Sequence, residues 1–547
     1  MGYLLPILIA FASLAYGDLG LPESGPRPWI LPLFLPLPYL FGWLEERGIA
    51  GGGRRMSKAM RRLARVFPVA LQYVAVACFG WLEAMASWFG ESPGFEGWPR
   101  PELILALGPF LLASAVTIDA QARRTGPAWR SLRSFQARLF LTAMGPVVAY
   151  ILIASAVGSV ELLNLGIGRV SLWSFAFSSL IVLTFALGLP TFLRATWDTE
   201  PMAPGPQRSL LEQVAQLARF RCRELLVWHT GHLVANAAIV GLTPGSRRVF
   251  FTDELLARMS PRQLAAVYAH EIGHAKRNHV AIFLIWSLAV FAALDGGLLL
   301  ADSFDLWVGY LALGLGLVIW LVGFGWLSRR IELEADLFSY ELLQDTAGIT
   351  SALHAVSGGN LQRGSWRHFS TARRIEFLQR VGANPLVGIQ LHRMIRNVAL
   401  VGLLFAVLGG GWRVVDFVQR YPVERACLDL GLGRYASAAE RLKGLDGDEV
   451  EELARLASLA QAEGLEGLQA LNETQAAVAE LARKDLQGGQ VERASAWLAL
   501  AALSGDASAG AAGEWLVEWL AGAPKVREMP ATVGTWAADL DAAVSRP

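Results

Sequence analysis

Long apolar runs separated by short polar connections dominate the first three quarters of the chain. They fall at 3–16, 29–44, 66–89, 101–118, 139–163, 170–192, 280–300, 306–327 and 396–412. Most approach the ~20 residues a helix needs to cross a bilayer core. The first two are short, and the second carries Pro32, Pro36 and Pro38, which suits a kinked or re-entrant segment. The opening run has no basic lead-in and no clear small-residue cleavage site, so it reads as a retained span and not a signal peptide. Lys and Arg collect after the second run (Arg47, Arg54, Arg55, Lys58, Arg61, Arg62, Arg65) and after the fourth (Arg123, Arg124, Arg130, Arg133, Arg138). The connections near 90–100, 161–169 and 301–305 are nearly free of them. Nine spans with the N-terminus inside satisfy this bias, with 193–279 and 328–395 cytoplasmic and the tail from about 413 outside.

The polar stretch between the sixth and seventh runs has mixed patterning. Leu210 to Glu224 reads as an amphipathic helix, Leu225 to Leu242 as strand-like pieces, and Arg247 to Phe251 as a strand after a Thr-Pro-Gly-Ser turn. Ser260-Pro261-Arg262-Gln263 is a capping box with Pro at the first helical position. The tail, 413–547, is rich in Ala, Leu, Glu and Gly at helical spacing, and Ala426 to Leu445 faintly resembles a tetratricopeptide pair. The pattern predicts a mainly α fold: a polytopic membrane helical bundle with an α+β domain and a helical C-terminal domain. Its parts are 1–195, 196–395 interrupted by a two-helix membrane hairpin at 280–327, a ninth span at 396–412, and 413–547.

Composition agrees. Hydrophobic residues make up 54% of the 547 and charged residues only 17%, against about 25% in an ordinary globular domain. A net charge of +1 gives no reason to expect a nucleic-acid partner. Cys78, Cys222 and Cys427 are far apart and suggest lone buried thiols, neither a disulfide framework nor a thiolate metal site.

Candidate chemistry begins at His270-Glu271-Ile272-Gly273-His274. On a helix, residues four apart share a face, so both imidazoles can converge on one zinc ion. Glu271, rotated by about 100°, can reach a water at the metal as a general base. A catalytic zinc needs a third protein ligand and an open position. His279 is a poor candidate, because a continuing helix turns it roughly 140° away. Beyond the hairpin, Arg329-Arg330-Ile331-Glu332-Leu333-Glu334-Ala335-Asp336 offers Glu332 and Glu334. Glu332 and Asp336 share a face, whereas Glu334 is rotated about 200° from Glu332, which favours Glu332 as ligand and Asp336 as its support. His229 and His232 sit near a predicted strand with no constrained relation to the motif, and His354 and His392 read as structural.

With those motifs in view, residues 210–385 resemble the membrane zinc metalloprotease family of the CAAX prenyl protease, bacterial HtpX and a mitochondrial inner-membrane stress protease. "HEIGH", a hydrophobic hairpin and "ELEAD" carry the likeness. The resemblance implies one zinc per chain on His270, His274 and Glu332, with Asp336 buttressing a histidine. "ANAAIVG" is similar to the family's Asn-Ala strand, implying that Asn236, Ala237 and Ala238 hold substrate backbone. "HFSTARRI" is similar to its His-Pro-x-x-x-x-Arg-Ile segment, with Phe369 in place of proline, implying that His368 and Arg374 line the site as oxyanion stabilisers or substrate clamps. The expected function is membrane zinc endopeptidase, acting on peptides or membrane proteins through a zinc-activated water. The expected location is a bacterial inner membrane with the site on the cytoplasmic side, and protein partners could reach the C-terminal domain. Two rivals stand beside it: a scaffold or sensor that keeps the fold without turnover, and a transporter. The apolar runs hold few charges (Glu83 and Asp295, with Glu161 at an end), which disfavours the transporter.

Overall fold

The computed structural model describes residues 27–50, 53–89, 102–124, 128–158, 160, 170–301, 306–356, 361–362, 364–463, 474–503, 507–520 and 531–545, with 6, 7, 9, 10, 13 and 14. Most of the expected span at 3–16 and the basic-poor connections at 90–100, 161–169 and 302–305, with Glu161, lie outside the described residues. The chain divides into two compact units, one of residues 1–155 with 181–412 and one of 156–180 with 413–547.

The first unit opens with α1 (Leu37–Ala50), α2 (Arg54–Phe79), α3 (Trp81–Phe89), α4 (Gly108–Arg123) and α5 (Trp129–Gly158), followed by α6 (Ser171–Thr196). α1 and α4 pack on α2, burying Leu31, Phe67, Leu71, Ala75 and Ala113. Buried Gln72 donates Nε2–H to the Ala106 carbonyl at 3.0 Å and accepts from the Phe110 N–H at 3.1 Å, satisfying groups freed where the chain bends into α4. The apolar run 66–89 is not one helix. Gly80 takes φ 61°, a left-handed conformation that ends α2 and starts α3.

Next comes a four-stranded sheet of β1 (Thr199–Pro201), β2 (Glu224–Trp228), β3 (Ala237–Val240) and β4 (Arg248–Thr252), in the order β1-β2-β4-β3. β2 runs parallel to β4, and β3 is an edge strand antiparallel to β4, with Ala237 opposite Phe251. Helix α7 (Pro206–Leu217) lies between β1 and β2 in the chain. Every residue of β4 is buried. Helix α8 (Pro261–Lys276) shares a core with the sheet through Leu264, Tyr268, Ala269 and Ile272, packed with Val249, Phe251, Leu211 and Ala237.

Helices α9 (His279–Ala301) and α10 (Leu306–Leu343) form an antiparallel hairpin: Phe283 stacks on Phe324 at 4.5 Å, and Trp320 Nε1–H donates to Ser287 Oγ at 3.0 Å. α10 continues far beyond its apolar part and carries the acidic motif. Helices α11 (Thr346–Val356), α12 (Thr371–Ala383) and α13 (Leu386–Gly431) follow. Leu327, Ile331, Leu337, Leu353, Phe377, Leu378 and Ile395 pack them together.

Among the described residues, five helices are long and apolar enough to cross a membrane: Arg55–Phe79, Trp129–Val157, Ser171–Thr196, Gly314–Leu343 and Leu386–Gly431. The pair Pro261–Lys276 and His279–Leu294 passes the same test only if taken together across a 43° bend, and its first helix packs on the sheet. α13 leaves Leu400, Leu403, Leu404, Phe405, Val407, Leu408 and Trp412 exposed, as a lipid-facing helix does.

The second unit is helical where described. Its core joins Leu453, Leu456, Trp497, Leu498, Leu516 and Trp536, and Glu424 accepts hydrogen bonds from the Ser171 hydroxyl and N–H at 2.6 and 2.9 Å. None of the three cysteines is in a disulfide, but Cys78 is exposed and Cys222 and Cys427 are half-buried, so the expectation of buried thiols fails.

Candidate active site

Helix α8 starts as its capping box requires. Ser260 Oγ accepts from the Gln263 N–H, and Gln263 Oε1 accepts from the Ser260 N–H at 3.0 Å. One face of the helix is spent on the sheet, which leaves His270, Glu271 and His274 turned to a cleft of about 320 Å3. Gly273 lets α10 come close: a Cβ there would meet Phe338 Cβ at 3.1 Å and Ala335 Cα at 3.3 Å. Across that contact Glu332 faces the two histidines.

The three side chains converge. His270 Nε2 and His274 Nε2 are 3.2 Å apart, and Glu332 oxygens lie 3.7 Å from the first and 3.8 Å from the second. Donor atoms at zinc bonds of about 2.0–2.1 Å in a tetrahedron sit about 3.3 Å from one another. The 3.7 Å contact is made by Oε2 and the 3.8 Å contact by Oε1, so the carboxylate faces both nitrogens, and the three residues form a cluster able to hold a metal, each offering one atom within 4.8 Å of the others. His270 Nδ1 lies 2.9 Å from Asp336 Oδ1 in a bent contact, and Asp336 is fully buried.

Arg374 holds Asp336 with two hydrogen bonds, 2.7 Å from Nε and 2.6 Å from Nη2, and lies 3.6 Å from Glu332. Burial opposes its charge, but Asp336 and then Glu332 more than offset this and hold its pKa above the usual arginine range. Its donors face the acidic pair, a geometry of positioning more than of clamping substrate. His368 Nδ1 reaches Glu332 at 3.3 Å from a half-exposed position on the rim. Burial pushes the Glu271 carboxyl up to about 7. The charge of His270 works against that, Glu332 adds to it, and Arg374 opposes it.

Asn236 and Ala237 line the cleft where the chain enters edge strand β3; Ala238 does not. The Asn236 carbonyl accepts the Thr252 N–H at 3.0 Å, and its own N–H donates to Thr252 Oγ1 at 2.9 Å. His229 and His232 lie elsewhere, paired with Glu200 and Glu254, and His354 is exposed on α11.

Sequence reasoning missed two features. The cleft has an apolar wall of Ile349, Ala352, Leu353 and Val356 from α11, which no motif marks. His279, which the sequence suggests is a helix-surface or interfacial histidine, is buried beside the site. α8 stops at Lys276, Asn278 adopts φ 54°, and α9 sets off at 43°, which brings His279 Nδ1 to 2.8 Å from His274 Nδ1. The expectation assumed an unbroken helix. Glu334, rotated away from the cluster, pairs with His279 at 2.9 Å and with His392. A positive φ at an asparagine was the one local signal available.

Residues 206–382 match peptidase family M48. This stretch is an M48 domain. The span agrees closely with the 210–385 carried by the motifs. Among curated relatives, the CAAX prenyl protease 1 homolog of Arabidopsis thaliana is 28% identical over 258 residues, 43% of this chain and 58% of that protein. Protease HtpX homolog 1 of Sulfurisphaera tokodaii is 32% identical over 163 residues, 25% of this chain and 49% of that protein. The chain thus spans about half the length of the curated relatives it matches. The crystal structure of S. mikatae Ste24p aligns at TM-score 0.40 and 15% identity, covering 64% of this chain and 98% of that one. The M48 domain holds the histidine pair, Glu271, the acidic motif and Arg374.

Proposed function

We propose that the chain is a membrane-integral zinc endopeptidase whose catalytic domain is 196–395, with the hairpin 280–327 and the helices before 195 and after 396 set in the bilayer. The observation that carries this reading is the cluster of His270, His274 and Glu332, each offering one atom within 4.8 Å of the others. When bound, zinc supplies Lewis acidity to a peptide carbonyl and to water. The chain's residues do the rest. Ala237, at the start of the edge strand, holds an extended peptide by backbone hydrogen bonds, the Asn236 side chain lies beside it in the cleft, and the apolar wall of α11 takes an aliphatic or aromatic side chain. Glu271 removes the proton from the attacking water and returns it to the leaving amine. His368, on the rim beside Glu332, donates to the developing oxyanion. Arg374 positions Asp336 and Glu332. The reading takes the membrane to be a bacterial inner membrane with the site on its cytoplasmic side, which the basic clusters support, and takes 413–547 as a helical domain open to protein partners.

Purified protein should contain one zinc and cleave an unstructured peptide such as casein in a chelator-sensitive way. Glu332→Ala should lose the zinc and the activity together. Stoichiometric zinc in Glu332→Ala would overturn the ligand set, and zinc-loaded protein with no turnover on any peptide would favour the scaffold.

A further inference from the structure

The two histidines of the motif are backed differently. Asp336 stands behind His270, and Arg374 behind Asp336. Behind His274 stands a second, buried chain. His274 Nδ1 meets His279 Nδ1 at 2.8 Å, His279 Nε2 meets Glu334 Oε2 at 2.9 Å, and Glu334 Oε1 meets His392 Nδ1. His392 Nε2 in turn lies 3.3 Å from Arg277, which pairs with Glu341 at 3.2 Å. The side chains of His279 and Glu334 are 2% and 6% exposed, too buried to be a solvated charge run. Helix geometry alone would have kept His279 away from His274; the left-handed Asn278 and the bend after it bring them together.

We propose that His279, held by Glu334 and His392, is the positioning residue that fixes the tautomer and ring orientation of His274. This rests on the zinc reading above. A neutral imidazole that offers its Nε2 lone pair to a metal carries its proton on Nδ1. That proton is donated to His279 Nδ1, which must then be bare, so His279 carries its own proton on Nε2 and donates it to Glu334. The acceptor-only carboxylate closes the order, taking Nδ1–H of His392 on its other oxygen. Reversing the link between His274 and His279 would put a proton on His274 Nε2, against the metal. Glu334, the runner-up among candidate ligands, thereby has a role of its own two residues from Glu332.

Two near-isosteric variants separate this from simple packing. His279→Asn places a carbonyl oxygen where Nδ1 was and keeps an acceptor for His274. His279→Gln places its amide where Nε2 was, keeps a donor for Glu334, and leaves His274 Nδ1 unpaired. Zinc affinity of each full-length variant is measured by chelator competition, with the absorption spectrum of the cobalt-substituted protein as a second readout and the melting temperature of the metal-free form as a check on folding. His279→Gln should bind zinc about 10- to 100-fold more weakly and alter the cobalt spectrum, while His279→Asn stays near the wild type. Equal zinc affinity in His279→Gln and wild type, or a weaker His279→Asn than His279→Gln, overturns the proposal. Wild-type protein that binds no zinc overturns the peptidase reading instead, and this one with it.

Discussion

Glu271 has its charge opposed by burial and by Glu332, and favoured by His270 and Arg374, with burial winning. Its carboxyl in the folded, metal-free protein holds a proton up to about pH 7, whereas the unfolded chain releases it near 4.5. The folded state therefore binds more protons between those values, and stability falls as pH rises from about 4.5 through about 7. Glu271→Gln removes that penalty. Metal-free Glu271→Gln should be more stable than metal-free wild type at pH 8 by about 3 kcal/mol, and the difference should vanish near pH 4.5 in thermal melts. The same variant should keep its zinc and lose at least about a thousandfold in cleavage rate, measured on casein. At this scale much was legible in the sequence. His270, His274, Glu332 and Asp336 stand together because a period of 3.6 residues puts positions four apart on one face. His279 was not legible, because one dihedral angle at Asn278 decides where it points and hydrophobic pattern carries no such information.

Helices α8 and α10 meet at a glycine, and that contact sets the distance from the histidines to Glu332. Gly273→Ala should force Phe338 and Ala335 outward by a few tenths of an ångström and cost about 1 to 2 kcal/mol. Zinc affinity should fall with it, although no ligand is touched, and isothermal titration of the variant would show this. The capped start of α8, the strands β2 to β4 and the hairpin were readable from capping residues, turns and apolar length. Two boundaries were not. The run 66–89 looked continuous because Gly80 is as apolar as its neighbours yet sits at φ 61°. The ninth span at 396–412 is only the middle of α13, which continues through Pro422 to Gly431 because polar residues sustain a helix as well as apolar ones do.

The whole molecule combines long apolar helices with a domain that carries a candidate metal cluster. Zinc that binds only the folded form adds stability by mass action, about 4 kcal/mol when free zinc exceeds its dissociation constant a thousandfold. Chelation should therefore lower the melting temperature of wild type and leave Glu332→Ala unmoved. Carbonate washing should leave the protein in the membrane pellet, since α6 and α13 expose apolar side chains along their lengths. Composition announced this level plainly, while the number of crossings depends on short, proline-rich and connecting segments that hydropathy alone ranks poorly.

Because α10 runs unbroken from Leu306 to Leu343, its lipid-facing part and Glu332 belong to one rod. Val322, exposed on the apolar part of the helix, and Glu332 are ten residues apart, a rise of about 15 Å. On the membrane-peptidase reading proposed above, such a rod is a depth gauge: wherever the bilayer fixes the greasy end, scission would be confined to a plane set by Glu332, and a protruding tail would be trimmed at constant height whatever its sequence.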